Sequence, residues 1–171
     1  MIHQEKLLTK QECQDIINYS ESLDYWERRE SPKGNEVKYK YFVMDISNFE
    51  LIGDKFLNYI EKNLNYKLSF VTILLLKYVK GDYFGRHIDT NNNEKYSHDG
   101  IENVNIVLND TFKGGDFYLD NEKIKTPYGY VYNYKSDTYH EVTEITDGVR
   151  YSLLCYVRTR NLISKKNKTL L

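Results

Sequence analysis

The sequence has few cysteines and no long hydrophobic run. Its two cysteines, Cys13 and Cys155, form neither a disulfide framework nor a metal-type spacing, and each lies in an apolar pattern typical of a buried thiol. No stretch approaches the roughly 18 apolar residues that a membrane span requires, and the N-terminal segment lacks the apolar core of a signal peptide. We therefore expect a protein of a reducing compartment, the cytoplasm, without a membrane partner.

An excess of charge of one sign is also missing. The 24 basic and 25 acidic residues give a net charge of −1, which provides no field to hold nucleic acid through phosphate contacts. The segment 158–171 is locally basic, and a solvated terminus is favoured over a docking arm for it. We expect no nucleic-acid partner, and the sequence leaves the oligomeric state open.

Tyrosine, in contrast, is abundant, with 17 residues. Because tyrosine is favoured on half-buried pleated surfaces, this number indicates a strand-rich fold. An AT-rich genome would also enrich tyrosine, together with lysine, asparagine and isoleucine, and the two causes are not separable from the sequence. At 171 residues, with 40% hydrophobic and 29% charged residues, the chain is most simply one globular domain.

Two helices are predicted in the first third of the chain. Thr9 and Glu12 form a capping box, and the apolar residues that follow recur at helical spacing, namely Cys13, Ile16, Ile17 and Leu23. Ser47 and Glu50 form a second such pair, ahead of an apolar helical face made of Leu51, Ile52, Phe56, Leu57 and Ile60. Both helices are expected to be packing elements rather than parts of a functional site.

Short strands separated by turns dominate the rest of the chain. The predicted strands cover residues 37–45, 68–79, 104–110, 116–120, 129–134 and 148–157. Lys113-Gly114-Gly115 and Asp120-Asn121 supply turn residues. Helices followed by strands without βαβ alternation predict an α+β, mainly β fold with a largely antiparallel sheet or barrel.

The same pattern divides the single domain, 1–171, into three parts. We expect helical support over about residues 1–65, a barrel core over about 66–158, and the basic tail at 159–171. The polar stretch 90–103 reads as an exposed loop of lid-like length.

One short stretch, "YVKGDYFGRHIDTNNN" at residues 78–93, places His87 and Asp89 two positions apart. On a strand these two side chains share one face and could bind one object. The spacing alone is weak, because roughly 0.6 such matches are expected by chance in this composition. A second match, at His3, lies near the start of the chain and is not considered a metal site. His98 and its neighbour Asp99 are also rejected as a metal pair, because adjacent residues of a strand point to opposite faces.

Residues further along the chain strengthen the metal interpretation. His140 follows the strand at 129–134, and Arg150 and Ser152 lie ten and twelve positions later. Two histidines and one carboxylate are the ligand set of non-haem Fe(II) oxygenases, which leaves coordination positions open. An anionic co-substrate on that iron needs a counter-charge, and the planar guanidinium of arginine pairs with a carboxylate through two hydrogen bonds.

Taken together, these motifs resemble the prolyl-hydroxylase-type Fe(II)/2-oxoglutarate dioxygenases. The resemblance rests on five pieces in order: Tyr78, then His87-x-Asp89, "FKGGDF" at 112–117, Pro127-x-Gly129, and His140 with Arg150-x-Ser152. It covers about residues 70–158. It implies a double-stranded β-helix, a jelly-roll or cupin-like barrel with helices packed on one sheet.

The resemblance also implies roles for individual residues. His87, Asp89 and His140 would ligate Fe(II), and Arg150 would bind the distal carboxylate of 2-oxoglutarate, helped by Tyr78 and Ser152. The reaction would use O2, with ascorbate as a reductant of oxidised iron. Collagen-type prolyl 4-hydroxylases carry lysine where Arg150 stands, which disfavours a collagen-like substrate but not the co-substrate.

The substrate stays open at this point. A prolyl residue in a protein or peptide is the first choice, followed by a free amino acid or other small molecule, and then by a nucleobase, which the near-neutral charge disfavours. A non-catalytic jelly-roll binding module and a zinc hydrolase are the alternatives from other classes. Each site residue also has a plain structural alternative: a hydrogen-bonded turn pair for His87 and Asp89, a core histidine for His140, a surface ion pair for Arg150, and a core aromatic for Tyr78.

Overall fold

A computed structural model of the protein describes residues 4–23, 26–30, 37–43, 50–64, 70–89 and 100–158. These residues form two helices, α1 (Lys10–Ser22) and α2 (Glu50–Leu64). The strands are β1 (Gln4–Lys6), β2 (Glu27–Glu30), β3 (Val37–Val43), β4 (Phe70–Tyr78), β5 (Tyr83–His87), β6 (Gly100–Val107), β7 (Phe112–Gly114), β8 (Phe117–Leu119), β9 (Glu122–Ile124), β10 (Tyr130–Lys135), β11 (His140–Val142), β12 (Ile145–Gly148) and β13 (Arg150–Arg158). Neither helix is long and apolar enough to cross a membrane.

The predicted capping box at the start of α1 is confirmed. The Thr9 hydroxyl accepts a hydrogen bond from the Glu12 backbone N–H at 3.2 Å, and the Glu12 carboxylate accepts one from the Thr9 N–H at 2.8 Å. The same carboxylate pairs with Lys55 of α2 at 2.5 Å, which ties the two helices together. Helix α2 is also confirmed, but Ser47 of its predicted capping box lies outside the described residues.

The strands form one large sheet and one small one, and every pairing in them is antiparallel. In the large sheet the strand order is β1-β10-β6-β13-β4-β3-β5-β11-β8-β9, with β2 added beside β3. β12 and β7 form the two-stranded sheet. The long strand β13 lies between β4 and β6, at the centre of the structure. The prediction of an α+β, mainly β fold with an antiparallel sheet is thereby confirmed.

Alternation along the central strands separates two hydrophobic clusters. One face of the sheet packs against the helices, through residues such as Ile73, Leu75, Leu153 and Cys155 together with Cys13, Ile16, Phe56 and Ile60. The other face encloses a second cluster, which contains Leu76, Tyr78, Val107, Phe117, Tyr132, Tyr134, Val142, Ile145 and Leu154. We call the space bordered by this second face the lumen. Because adjacent strand residues point to opposite faces, each central strand contributes to both clusters.

Two local predictions have different outcomes. Asp120 and Asn121 both have positive φ, 45° and 74°, and connect β8 to β9 as the predicted turn. The exposed loop predicted at 90–103 is wrong for its last four residues, because 100–103 belong to β6. Glu102 and Asn103 are polar but buried, since their strand pairs with both β10 and β13. Residues 90–99, including His98, and the basic tail lie outside the described residues.

Candidate active site

The register of β5 and β11 brings two distant histidines together. His87 is the last residue of β5, His140 is the first residue of β11, and the two are directly paired. Their ring centroids are 4.1 Å apart, and Phe84 stacks on the outer side of the His87 ring at 3.8 Å. The two imidazoles therefore face one point although they are 53 positions apart along the chain.

Asp89 completes the cluster. One carboxylate oxygen, Oδ1, lies 3.3 Å from Nε2 of His87, and the other, Oδ2, lies 3.4 Å from Nε2 of His140. One ligand atom from each of the three residues can be chosen so that all lie within 4.8 Å of one another. In the part of the chain that the structure describes, this is the only group of three histidine, cysteine or acidic side chains with that geometry.

Backbone carbonyls fix which nitrogen of each histidine carries its proton. Nδ1 of His87 donates to the carbonyl of Gly85 at 2.8 Å, and Nδ1 of His140 donates to the carbonyl of Thr138 at 2.9 Å. A carbonyl oxygen can only accept, so in each neutral ring Nδ1 carries the hydrogen and Nε2 presents a lone pair. Both lone pairs then face a carboxylate, an arrangement that a bound cation stabilises.

The electrostatics of Asp89 fit the same picture. Burial raises the pKa of the Asp89 carboxyl, but hydrogen bonds and charge from His140 and then His87, when these imidazoles are protonated, outweigh burial and hold that pKa well below its ordinary value. With neutral imidazoles, a bound cation supplies that positive charge instead. An ionised carboxylate and two Nε2 atoms are the donor set that suits Fe(II) in a site with open positions. Nε2 of His87 is buried without a hydrogen-bond partner among the described residues, so the cluster fits a metal ion.

Arg150 lies deeper on the same face of the sheet. It begins β13 directly opposite Tyr78 of β4, and only 1% of its surface is exposed. Its Nη1 donates to the Ser152 hydroxyl at 2.9 Å, and its Cζ lies 5.4 Å from the centre of the Tyr78 ring. Its Nε and Nη2 groups have no hydrogen-bond partner among the described residues. A buried cation left unpaired costs several kcal/mol, so this guanidinium is suited to an anionic ligand.

Sequence reasoning missed two further lumen residues, Tyr132 and Asn105. They are paired across β10 and β6, so both side chains point to the lumen. The Tyr132 hydroxyl and the Asn105 carbonyl oxygen are buried without a partner in the described structure. Burial raises the pKa of Tyr132 to about 12, while the Arg150 charge acts in the opposite direction. Tyr132 therefore lies beside the guanidinium and can add a hydroxyl donor.

The structure thus brings every predicted site residue to one lumen. His87, Asp89 and His140 form the cluster described above, and Tyr78 and Ser152 both contact Arg150. Within the described residues, every buried side-chain nitrogen or oxygen that lacks a hydrogen-bond partner belongs to this region: His87, Asn105, Tyr132 and Arg150. Unpaired buried polar groups are rare in folded proteins and mark sites that a ligand completes.

Several solved structures share the fold of this chain at less than 20% sequence identity. A prolyl-4-hydroxylase from Pseudomonas putida has a TM-score of 0.74 at 16% identity, covering 93% of this chain and 92% of that one. The viral collagen prolyl hydroxylase of Paramecium bursaria Chlorella virus-1, solved with 2-oxoglutarate, has a TM-score of 0.70 at 16% identity, covering 92% and 96%. A prolyl hydroxylase of Trichoplax adhaerens, in complex with a peptide of hypoxia inducible factor, has a TM-score of 0.69 at 19% identity, covering 92% and 83%. The predicted jelly-roll fold is confirmed.

A comparison with curated proteins finds no match. The family model of the 2OG-Fe(II) oxygenase superfamily matches residues 73–158. This segment is half of the chain and runs from β4 to the end of β13. It contains the metal-type cluster, the buried arginine and the lumen that they share. The protein therefore belongs to the 2OG-Fe(II) oxygenase superfamily and is one of its enzymes.

Proposed function

We propose that this enzyme hydroxylates an unactivated C–H bond, with a prolyl residue of a protein or peptide as its substrate. The observation that carries the proposal is the shared lumen. Two partly buried residues, His87 and Asp89, and the buried His140 lie on the same face of the sheet as a buried guanidinium with two unpaired N–H groups. Phe117 and Tyr132 connect the two groups, since Phe117 packs near both His140 and Tyr132, and Tyr132 lies beside Arg150. A metal ion and a dicarboxylate are the two ligands whose charges and donors match these groups.

His87, Asp89 and His140 would hold Fe(II). The two Nδ1–H hydrogen bonds to backbone carbonyls orient the imidazoles before any metal arrives, so little reorganisation accompanies binding. The chemistry supplied by bound iron and 2-oxoglutarate is oxidative decarboxylation of the co-substrate, coupled to transfer of one oxygen atom from O2 to the C–H bond. Three protein ligands leave room for both partners.

Arg150 would bind the distal carboxylate of 2-oxoglutarate. Its unpaired Nε and Nη2 supply two donors, and the Ser152 and Tyr132 hydroxyls lie next to it. Tyr78 covers one face of the guanidinium and keeps it dry. The charges balance, because Fe(II) with one carboxylate and one guanidinium carries +2 against −2 for the co-substrate. Ascorbate would serve as the reductant of oxidised iron.

The composition of the lumen should limit the access of water to the reacting groups. Its walls are largely aromatic and aliphatic, with Phe117 and Tyr134 in contact with the His140 ring region at centroid distances of 6.3 and 4.8 Å. A dry site strengthens every charge interaction within it and suppresses side reactions.

The prolyl assignment rests on the likeness to prolyl hydroxylases. One of those structures holds a peptide of hypoxia inducible factor, and a peptidyl substrate is therefore the first class to test here. A free amino acid or another small molecule is the alternative outcome of the same experiment.

The first test is an anaerobic titration of the purified protein with Fe(II) and then 2-oxoglutarate, which should produce a visible metal-to-ligand charge-transfer band. Absence of that band would remove the oxygenase assignment for these residues. The second test incubates the loaded enzyme with O2 and a proline-containing peptide library. Gain of one oxygen atom at proline, with stoichiometric succinate, supports the substrate class. If only free amino acids stimulate succinate formation, the substrate is a free amino acid rather than a prolyl residue of a peptide.

A further inference from the structure

Asp89 has little regular structure to hold it in place. It lies two residues beyond the end of β5, and its backbone N–H donates to the carbonyl of Ser136 at 2.9 Å. That bond fixes the main chain but leaves the carboxylate free to rotate about its side-chain bonds. The orientation of the carboxylate must therefore come from the side chains around it.

Asn103 provides that contact. It is fully buried on the lumen face of β6, and its Nδ2 donates to Oδ2 of Asp89 at 2.5 Å. The amide is held in turn, because its Oδ1 accepts from the Ser136 hydroxyl at 3.4 Å. Ser136 therefore makes two contacts: its carbonyl accepts a hydrogen bond from the Asp89 N–H, and its hydroxyl donates one to the Asn103 side chain. The three residues form a closed set of hydrogen bonds from three separate segments of the chain.

This arrangement distinguishes the two oxygens of the Asp89 carboxylate. Both oxygens lie at the cluster, Oδ1 3.3 Å from Nε2 of His87 and Oδ2 3.4 Å from Nε2 of His140. Only Oδ2 accepts the Asn103 amide, so one of its lone pairs is already used and Oδ1 is the better placed donor for a metal. A neutral amide suits this position because it donates a hydrogen bond without adding charge. An apolar residue would supply no donor, and a carboxylate would repel Asp89.

We infer that Asn103 is a positioning residue for the metal site: it orients Asp89 so that Oδ1 is the oxygen presented to the metal. The inference rests on the proposed function, since it concerns the same three ligands. Asn103 itself contacts neither metal nor substrate in this assignment; it acts through Asp89. Outer partners of this kind typically change metal affinity by about 10–100-fold when they are removed.

The test is carried out on the full chain, with Co(II) as a spectroscopic probe of the metal site. Asn103→Leu keeps the size of the side chain and removes the donor. We expect Co(II) to bind about 10–100-fold more weakly by calorimetry, with a changed visible d–d spectrum, although all three ligands are still present. Ser136→Ala removes only the hydroxyl that supports the amide and keeps the carbonyl that receives the Asp89 N–H. It should give a smaller loss of affinity in the same direction.

Asn133→Leu is the matched control. Asn133 also donates from its amide to a buried carboxylate, that of Glu102 at 3.1 Å, but on the face of the sheet turned toward Tyr59 of α2. This variant should lose folding stability while keeping wild-type Co(II) affinity and spectrum. If Asn103→Leu does not fold, Ser136→Ala decides the question.

The two proposals fail differently. Wild-type protein that binds neither Co(II) nor Fe(II) would overturn the proposed function. Wild-type protein that binds Co(II), together with Asn103→Leu and Ser136→Ala proteins of the same affinity and spectrum, would overturn the role of Asn103 and leave the proposed function intact.

Discussion

Arg28 of β2 forms an ion pair with Asp82, in the turn that joins β4 to β5, with Nη2 and Oδ1 3.0 Å apart. Asp82 is fully buried, and its second oxygen accepts the Val79 N–H at 3.0 Å. The backbone of the same turn exchanges hydrogen bonds with Ile145 of β12. This turn links the strand that lies beside Arg150 to the strand that ends in His87. It therefore connects the part of the lumen near Arg150 to the part near His87.

Replacing Asp82 should destabilise the fold. Asp82→Ala removes the acceptor of the Val79 N–H and the partner of Arg28, so we expect the free energy of unfolding to fall by about 2–4 kcal/mol. Urea denaturation measures the change. Lys113→Ala is the control: its pair with Asp147, 3.5 Å apart, has side chains 78% and 69% exposed, and surface pairs of this kind contribute within about 0.5 kcal/mol. Equal losses in both variants would contradict the structural importance of the turn.

The metal-type cluster and the buried arginine should be separable by mutation. His87→Ala should abolish Fe(II) binding, because one of three ligands is lost. Arg150→Ala should still bind the metal. It should weaken 2-oxoglutarate binding by about 2–4 kcal/mol, because the distal carboxylate of 2-oxoglutarate would be buried without a positive partner. Calorimetric titrations with each ligand give both affinities. Equal loss of metal binding in the two variants would contradict the assignment.

Arg86→Ala is the control for that pair of variants. Arg86 precedes His87 on β5 and therefore points away from the lumen. It is exposed, and its guanidinium lies 4.6 Å from the Tyr139 ring. Arg86→Ala removes a positive charge next to His87 in the sequence, but the affinities for Fe(II) and for 2-oxoglutarate should both stay at the wild-type level.

Tyr132 should affect ligand binding more than folding. Its hydroxyl has no partner in the described structure, so Tyr132→Phe should leave the stability of the unliganded protein nearly unchanged. A hydrogen bond to a charged ligand contributes about 1.5 kcal/mol or more, so 2-oxoglutarate should bind about tenfold more weakly.

The buried Tyr59 offers the reverse pattern. Its hydroxyl donates to Asn133 at 2.8 Å, on the helix side of the sheet. Tyr59→Phe should lose about 1 kcal/mol of stability and keep the 2-oxoglutarate affinity. Thermal unfolding together with calorimetry tests both variants. Wild-type affinity in Tyr132→Phe would exclude this hydroxyl from the co-substrate site.

Local signals made much of the fold predictable. The capping box of Thr9 and Glu12 is a contact between neighbours in sequence, and the long strands β4 and β13 are strongly apolar. Three or four residues are too few to show an alternating pattern, so the short strands β1, β2, β7, β9, β11 and β12 were missed. Lys113 and Gly114, predicted to lie in a turn, belong to β7. The error at 100–103 has a different origin: Glu102 reads as a loop residue, but it is buried in contact with Asn133 and Lys135.

The site shows a different limit. Spacing and resemblance selected His87, Asp89, His140 and Arg150, and the structure brings them to one lumen; their roles as ligands stay predictions. Asn103 and Tyr132 could not be selected in the same way. A tyrosine on a strand is indistinguishable from the many others, and an asparagine beside a presumed loop carries no signal. Their placement depends on the pairing of β6 with β10, which is a long-range property.

Gly115 gives a final prediction, since the sequence indicated only a turn there. Its φ is +64°, and an added Cβ would lie 2.4 Å from Cδ1 of Ile145 and 3.0 Å from Cδ of Arg150. Gly115→Ala should therefore lower stability by about 1 kcal/mol or more through backbone strain, and also weaken 2-oxoglutarate binding by displacing the guanidinium. Gly129→Ala is the control: its φ is +77°, and its Cβ would meet the carbonyl oxygen of Leu8 at 2.5 Å. It should lose stability and keep the affinity. If the two variants lose affinity equally, general loosening of the fold, rather than contact with Arg150, accounts for the effect.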